Sequence, residues 1–344
     1  MKIKNKIISD NSPIYVIAEI GINHNGSVSK AMKMIDYAIE SGCSAVKFQT
    51  FYLDEMLLKD TRLAEYQKKT GFQNMTDLLK KYNLSYESFK IIKKYCDKNK
   101  IEFLSTPYDI KSVELLEELK VKRYKIASAD LVDMILHKKI RSTKKPLILS
   151  VGMAAVPEIK KTLEFYKKKK ISKITLLHCV SNYPCSAKSL NLKTILKLKK
   201  MFNLPIGFSD HSEGNLAAVL AVGLGATIIE KHFTLNKNLP GPDHKASITP
   251  KEFSVFVKTI REAETMLGND QKRCRLEERE MRRIGRKSIT LKRSMKRGEI
   301  INEKDIIMKR PGTGLNGQKI YMIIKKKLKK NFKKDHQIRK QDIL

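Results

Sequence analysis

The chain lacks tryptophan and has few of the features that mark secreted or membrane proteins. Its five cysteines are scattered and form no CxxC pair, which favours reduced thiols over a disulfide framework. No apolar run approaches the roughly 20 residues that a membrane-spanning helix needs. The residues after the first apolar run, 23–26, do not have the character of a signal-peptide cleavage site. These absences predict a cytoplasmic protein that is not inserted in a membrane.

Acidic residues are also scarce: 36 Asp and Glu face 70 Lys and Arg, a formal net charge of +34. Residues 281–344 alone hold 21 basic and 5 acidic residues, in runs such as 325–334. Such charge can attract nucleic acid, an anionic membrane or small acidic substrates. Aromatic residues are not interleaved with the basic runs, and no zinc-finger or RNA-binding signature is present. We therefore expect solvated lysine-rich faces and no nucleic-acid or membrane partner.

Eight short apolar runs of strand length recur along the chain, and segments with a helical period, such as 29–42 and 156–169, separate most of them. The eight runs are 15–22, 45–50, 102–108, 124–130, 146–153, 174–181, 205–211 and 227–234. This alternation predicts an α/β protein of parallel βαβ units, and eight units close a (β/α)8 TIM barrel of about 250 residues. The long interval 51–101 is expected to add a covering segment over one mouth.

Polar side chains lie near the carboxyl end of every predicted strand. They are Glu19, Lys47 with Gln49, Ser105 with Thr106, Lys125 with Ser128, Ser150, His178 with Ser181, Ser209 with Asp210 and His211, and Glu230 with His232. In a barrel these ends converge on one face, which is where TIM-barrel active sites lie. The sequence therefore predicts a functional site at this face.

Histidines are candidate metal ligands at the last two strand ends. His211 and His232 follow strands that lie about 4.8 Å apart in a parallel sheet. Two such imidazoles can bind one divalent cation and leave positions open for water or substrate. The alternative is a pair of hydrogen-bonded histidines at the mouth. We expect His178 to be buried, and His137 and His336 to lie at the surface.

Lys47 and Lys125 each lie within an apolar strand. A strand-end lysine can bind a phosphate or carboxylate, or it can form a Schiff base when its pKa is lowered. Accompanying hydroxyls favour an anion-binding site, and no glycine-rich P-loop is present. These hydroxyls are Thr106, Ser128, Ser150 and Ser209. Glu19 and Asp130 can orient a substrate, carry a proton or pair with a neighbouring lysine.

Nine segments, in order along nearly the whole chain, resemble the sialic acid synthase family. They are AEIGINHNGS (18–27), AVKFQTF (45–51), LSTPYD (104–109), YKIASAD (124–130), LSVGMA (149–154), HCVSNYP (178–184), GFSDHSEG (207–214), EKHFTLNKNLPGPDH (230–244) and KRPGTG (309–314). The resemblance implies condensation of phosphoenolpyruvate with an N-acylated mannosamine-type sugar to a nine-carbon 2-keto acid, with release of phosphate. It also implies a divalent metal, Mn²⁺ first and Mg²⁺ or Co²⁺ as alternatives.

Roles for individual residues follow from the resemblance alone. It implies that His211 and His232 bind the metal and act in catalysis with Glu19 and Asp130. The implied phosphoenolpyruvate pocket consists of Lys47, Thr106, Lys125, Ser128, Ser150 and Ser209. The implied sugar-binding residues are Glu19, Tyr183, Asp243 and Arg310. Some relatives carry Glu at the position of Asp130, which leaves its part in proton transfer open.

The C-terminal residues resemble the small antifreeze-like (SAF, β-clip) domain that ends these enzymes. The expected organisation is a barrel over 1–267, a linker over 268–285 and the SAF domain over 286–344. The resemblance further implies a domain-swapped homodimer, in which Arg310 reaches the sugar site of the other subunit. Part of the C-terminal basicity would then cover an anionic site.

The sugar is left open by the sequence. N-acetylmannosamine would make the enzyme an N-acetylneuraminate synthase, and 2,4-diacetamido-2,4,6-trideoxymannose would make it a legionaminate synthase. Two other hypotheses compete: a Schiff-base aldolase that uses Lys125 or Lys47, and a binder of nucleic acid or anionic polymer that uses the basic tail.

Overall fold

The structure is a computed structural model that describes residues 8, 12–65, 67–167 and 173–344. Contacts divide the chain into two compact units, Met1–Gly268 and Asn269–Leu344. No helix within the described residues combines the length and the apolar character needed to cross a membrane.

Eight parallel strands form the sheet of the first unit. They are β1 (Tyr15–Gly21), β2 (Ala45–Thr50), β3 (Glu102–Pro107), β4 (Tyr124–Ile126), β5 (Leu147–Ser150), β6 (Ile174–Cys179), β7 (Ile206–Asp210) and β8 (Ile228–His232). The sheet order is β3-β2-β1-β8-β7-β6-β5-β4, and the outer strands β3 and β4 are in contact. The predicted TIM barrel is therefore confirmed, with every predicted strand in place.

Helices surround the sheet. They are α1 (Val28–Glu40), α2 (Leu53–Met56), α3 (Met75–Tyr82), α4 (Tyr86–Lys98), α5 (Ile110–Glu118), α6 (Met134–Ser142), α7 (Val156–Lys167), α8 (Thr194–Phe202), α9 (Leu216–Gly223) and α10 (Pro250–Leu267). In α1 the apolar residues recur at helical spacing, and the hydroxyl of Ser27 accepts from Lys30 N at its start. The helix ends before Gly42, whose φ of +74° is the left-handed conformation that is usual just after a helix end.

Alternation along each strand decides which side chains reach the barrel interior. In β1, Val16 and Ala18 pack against the helices, whereas Ile17 belongs to an apolar cluster inside the barrel. This interior is tightly filled, since a Cβ at Gly207 would lie 2.5 Å from Leu177 Cδ2. Glu19 comes two residues after Ile17 and shares its face of β1. The apolar layer therefore closes the barrel below the carboxyl ends of the strands.

The interval 51–101 contains α2, α3 and α4. A separate apolar cluster packs the first part of this interval onto the barrel mouth. Its buried members are Ile22, Phe51, Leu63, Leu78, Leu79 and Tyr82. The covering segment expected from the sequence is thus present, and we use that name for residues 51–82.

The second unit has a small core of its own. Helix α11 (Glu278–Gly285) precedes two antiparallel strands, β9 (Ser288–Leu291) and β10 (Ile306–Lys309). The buried core residues are Ile289, Leu291, Met295, Ile301, Ile323, Leu328 and Ile338. Residues 268–285 were expected to be a linker, and the last eight of them form helix α11.

His137 was expected to lie at the surface, but it is fully buried. Its Nδ1 lies 2.7 Å from the hydroxyl of Tyr166, and its Nε2 lies 2.9 Å from Leu131 O. The histidine belongs to the packing of α6 against α7. His178 is buried as expected, with Nε2 2.7 Å from Leu190 O.

Candidate active site

A cavity of about 510 Å³ opens at the carboxyl ends of the barrel strands. The resemblance gives a role to thirteen residues, and twelve of them line this cavity. They are Glu19, Lys47, Thr106, Lys125, Ser128, Asp130, Ser150, Tyr183, Ser209, His211, His232 and Asp243. The thirteenth, Arg310, belongs to the second unit, where its side chain is exposed. The barrel thus brings together side chains from all eight strand ends.

Lys47 and Lys125 lie at the floor of this cavity and share one carboxylate. Lys47 Nζ is 2.7 Å from Glu19 Oε2 and 3.7 Å from Glu230 Oε2. Lys125 Nζ is 3.4 Å from Glu230 Oε1. All four side chains are almost completely buried. Glu230 was noted from the sequence as a strand-end residue but was given no role; its place between the two lysines becomes visible only in the structure.

The pKa values of the two glutamates shift in opposite directions. Burial would raise the pKa of Glu230, but attraction by Lys125 and Lys47 outweighs it and lowers the pKa to about 2. Burial raises the pKa of Glu19 to about 7, although Lys47 opposes the shift. Glu230 is therefore ionised at neutral pH, whereas Glu19 titrates there. With Glu19 protonated, one carboxylate faces two lysines and the floor can accept an anion.

Hydroxyl groups surround the lysines. Lys47 Nζ donates to Thr106 Oγ1 at 3.2 Å, and Ser209 Oγ donates to Glu230 Oε1 at 2.8 Å. Ser128 Oγ accepts from Gly152 N at 2.9 Å. The buried Ser150 Oγ has no hydrogen-bond partner within the part of the chain that the structure describes. An unsatisfied buried hydroxyl is costly, so a ligand oxygen at this point would be stabilising.

His211 and His232 meet beside the lysines, with ring centroids 5.6 Å apart. His211 Nδ1 lies 2.7 Å from Val180 O, and because a carbonyl oxygen only accepts, this nitrogen carries the proton. His211 Nε2, 3.3 Å from Ser209 Oγ, is left with its lone pair. The buried Nδ1 of His232 has no hydrogen-bond partner among the described residues. Burial lowers the pKa of both rings, that of His211 to about 4.

These two rings fit a metal ion. They are neutral, and the backbone hydrogen bond of His211 orients its ring as is usual for metal-binding histidines. No cluster of three His, Cys, Asp or Glu side chains suited to a metal occurs in the described parts of the chain. A cation held here would therefore have two imidazole ligands and take its other ligands from water or substrate.

The far end of the cavity carries a group of three polar side chains around Gly21. Gly21 has a φ of +54°, and a Cβ there would lie 3.2 Å from Glu19 Oε1, 3.3 Å from Gln49 Nε2 and 3.8 Å from Asp243 Oδ2. Gln49 Nε2 also donates to Glu19 Oε1 at 3.3 Å. Burial raises the pKa of Asp243 to about 6. One amide donor and two carboxyl groups therefore lie close together at this wall, and they can bind a polyhydroxylated ligand.

Asp130 enters the cavity from the 3₁₀ turn Ala129–Val132 that follows β4. Its Oδ2 is buried, with no hydrogen-bond partner found in the described residues. Burial raises the pKa of Asp130 to about 7, with a smaller contribution from Asp133. A carboxyl group that titrates near neutral pH is suited to proton transfer.

The covering segment contributes an apolar wall that sequence patterns did not reveal. Met56, Leu57, Met75 and Leu79 line the cavity together with Gln67. These residues lie in short helices and turns without a motif, so only tertiary packing places them here. The cavity is thus cationic at its floor and partly apolar at its outer wall.

Comparison with known proteins agrees with this geometry. Residues 34–272 match the NeuB family, and residues 286–344 match the SAF domain. The chain is 41% identical to the N,N'-diacetyllegionaminic acid synthase of Legionella pneumophila over 92% of this chain and 91% of that protein. It is 34% identical to the pseudaminic acid synthase of Campylobacter jejuni serotype O:2, covering 93% and 94%.

A solved structure agrees as well. The N-acetylneuraminic acid synthetase of Leptospira borgpetersenii superposes with a TM-score of 0.71 at 34% identity, covering 82% of this chain and 94% of that one. The chain therefore belongs to the NeuB family of sialic acid synthases, and it is a transferase that forms a carbon–carbon bond.

Proposed function

We propose that this enzyme condenses phosphoenolpyruvate with an N-acylated mannosamine-type sugar, giving a nine-carbon 2-keto sugar acid and phosphate. The observation that carries the proposal is the buried group of Lys47, Lys125 and Glu230 beside two neutral histidines. A Schiff-base aldolase needs one lysine nucleophile, and a second buried lysine that shares its carboxylate is better explained by a multiply charged substrate.

The lysine floor would hold phosphoenolpyruvate. Its carboxylate and phosphate would take their charge compensation from Lys47 and Lys125, with the hydroxyl of Ser150 as a neighbouring donor. Attraction is strong here because the side chains are buried and water does not screen them. The raised pKa of Glu19 supports this arrangement, since protonation of Glu19 frees Lys47 for the anion.

The reaction balances without a further co-reactant. C3 of phosphoenolpyruvate forms a bond to the sugar aldehyde carbon, and the aldehyde oxygen takes up a proton. Water adds at C2 and loses a proton, which leaves a hydroxyl and the phosphate on the same carbon. Cleavage of the bond from C2 to the phosphate oxygen releases phosphate, and the hydroxyl loses its proton to become the keto group. Glu19 and Asp130, with pKa values near 7, would exchange these protons. A divalent ion, Mn²⁺ in our proposal, would be held by His211 and His232 and would supply Lewis-acid polarisation of the aldehyde.

The outer wall bears on the identity of the sugar. N-acetylmannosamine presents a hydroxymethyl group, whereas 2,4-diacetamido-2,4,6-trideoxymannose presents a methyl group and a second acetamido group. The apolar side chains of Met56, Leu57, Met75 and Leu79 favour the second sugar. The similarity to a diacetyllegionaminic acid synthase supports the same choice. We therefore propose the diacetamido sugar as the preferred substrate and N-acetylmannosamine as the alternative.

We also propose that the enzyme is a cytoplasmic homodimer in which Arg310 completes the sugar site of the other subunit. The exposed guanidinium supports this role, because it is available to a ligand or another chain. The residues around it, KRPGTG, carry the resemblance on which the proposal rests.

A phosphate-release assay with phosphoenolpyruvate, added Mn²⁺ and each of the two sugars tests the function. We expect release only when both substrates are present, and a product mass equal to the two substrates plus water minus phosphoric acid. Release should stop with EDTA. Trapping by borohydride would instead support the aldolase, and salt-sensitive RNA binding that survives His211→Ala would support the binder.

A further inference from the structure

The polar segment that follows β1, residues 23–25, contacts the loop between β8 and α10. We call residues 235–247 the Asp243 loop. Asn23 Nδ2 donates to Phe233 O and to Ser247 Oγ, each at 2.9 Å. Ser247 Oγ in turn donates to Asp243 O at 2.6 Å. Asn23 therefore joins the end of β8 to the backbone of the residue whose carboxylate faces the cavity.

His244, the residue after Asp243, makes a second connection. Asn25 Nδ2 donates to Pro240 O at 2.8 Å, which turns Asn25 Oδ1 towards His244 Nε2 at 2.9 Å. Because an amide oxygen only accepts, His244 Nε2 carries a hydrogen. His244 Nδ1 then accepts from Thr234 Oγ1 at 2.7 Å, and this hydroxyl lies farther, 3.2 Å, from its other acceptor, Asn236 O.

Burial keeps the imidazole ring of His244 neutral and restricts its movement. His244 is completely buried, and burial lowers its pKa to about 4, so the ring is neutral at neutral pH. The backbone of the loop packs against it: a Cβ at Gly241 would lie 2.7 Å from His244 Cδ2. The ring therefore has one tautomer, one orientation and little space in which to move.

We infer that His244 is a positioning residue, whose hydrogen bonds to Asn25 and Thr234 hold Asp243 at the sugar end of the cavity. The Asp243 loop contains no helix or strand among its residues. Its backbone hydrogen bonds, such as Leu239 N to Asn236 O, close local turns, so side-chain hydrogen bonds contribute to its path. A change of about 1 Å in a positioned group can cost a large factor in rate. The inference rests on the proposed function, because it takes Asp243 as a sugar-binding residue.

Substitutions at His244 should act on the sugar and not on phosphoenolpyruvate. His244→Phe removes both hydrogen bonds, and we expect the KM for the sugar to rise about tenfold or more. The KM for phosphoenolpyruvate should stay within about twofold, because the hydrogen bonds and ion pairs described for Lys47 and Lys125 involve no residue of the Asp243 loop. His244→Gln keeps an N–H donor and an acceptor and should restore part of the sugar affinity. Asn25→Ala should resemble His244→Phe.

A double-mutant cycle separates positioning from general stability. If His244 acts through Asp243, then adding His244→Phe to Asp243→Asn should change the sugar KM by less than about twofold. His178→Gln is the matched control, since it alters another buried histidine that bonds to a backbone carbonyl. It should leave both KM values unchanged.

The outcomes are distinguishable. Inactivity of the wild-type enzyme with every sugar would contradict the proposed function. An active wild type whose His244 variants raise both KM values equally, or add fully to Asp243→Asn, would overturn the inference alone. Nitrogen-15 NMR gives a readout independent of activity: the wild type should show the Nε2–H tautomer of His244, and Asn25→Ala should lose it.

Discussion

Lys125 Nζ and Glu230 Oε1 lie 3.4 Å apart at the floor of the barrel cavity, and the same carboxylate also serves Lys47. Breaking a buried ion pair is expensive when one charge is left behind. When Glu19 is protonated, one carboxylate balances two ammonium groups only in part. Under the proposed function this floor binds an anionic substrate, and its affinity should then depend on each lysine.

We expect Lys47→Ala and Lys125→Ala to raise the KM for phosphoenolpyruvate by about 10- to 100-fold, because each removes a charged donor from a buried pocket. The sugar KM should change far less. Lys160→Ala, an exposed lysine on α7, is the control and should alter neither value. Steady-state kinetics with each substrate varied in turn would make the comparison. A change confined to the sugar KM would show that the anion site is elsewhere.

Loss of either histidine should weaken metal binding. His211→Ala or His232→Ala leaves one imidazole, and a site with two protein ligands cannot tolerate that loss easily. After purification with added Mn²⁺, we expect elemental analysis to find much less metal in each variant than in the wild type. His178→Gln should retain wild-type metal content. Full occupancy in either alanine variant would rule out the two-histidine site.

Replacement of Asp130 by Asn should raise the stability of the protein and lower its activity. Its pKa is raised to about 7 in the folded protein, above the ordinary aspartate value of about 3.9, so folding favours the protonated form. The stabilisation is fully present below pH 4 and is lost as the pH rises through 7. Asp130→Asn stays neutral and should therefore raise the Tm more at pH 8 than at pH 5.

Calorimetry of the ligand-free proteins at the two pH values measures this difference. The variant should also be nearly inactive in the phosphate-release assay if Asp130 exchanges a proton with the substrates. An equal Tm shift at the two pH values would show that Asp130 does not titrate as described.

Arg310 can be tested by mixing inactive variants. Arg310→Ala and His211→Ala should each be nearly inactive alone. If Arg310 acts across a homodimer, co-refolding should restore about a quarter of wild-type activity, since half of the dimers then have one intact site of two. Differential tags would verify heterodimers. No recovery in confirmed heterodimers would show that Arg310 does not serve the other subunit.

The strand patterns of the sequence were enough to predict the barrel, because each strand is a short apolar run followed by polar residues. They did not separate Asp210 from its neighbours Ser209 and His211, and all three are buried. Ser209 and His211 line the cavity, whereas Asp210 forms an ion pair with Lys231 at 2.8 Å outside it. Neighbouring residues on a strand point to opposite faces of the sheet. The register of the closed barrel therefore decides which of them points into the cavity.

Other features depended on tertiary packing. His137 lies on a helix with basic neighbours, which suggested exposure, but α7 covers it. The apolar wall of the cavity comes from short helices between β2 and β3. No local sequence pattern predicts where these helices pack on the barrel. The partners of His244 lie 10 residues and more than 200 residues away along the chain.

The covering segment has a consequence for how such enzymes diversify. The floor of the cavity is formed by residues of the barrel strands, so a change there would affect the packing of the barrel itself. The outer wall is one continuous insertion between two strands, and such a connection tolerates changes in length and sequence. If the outer wall selects the sugar as proposed, exchange of residues 51–82 between related chains should alter sugar preference and leave the phosphoenolpyruvate chemistry intact.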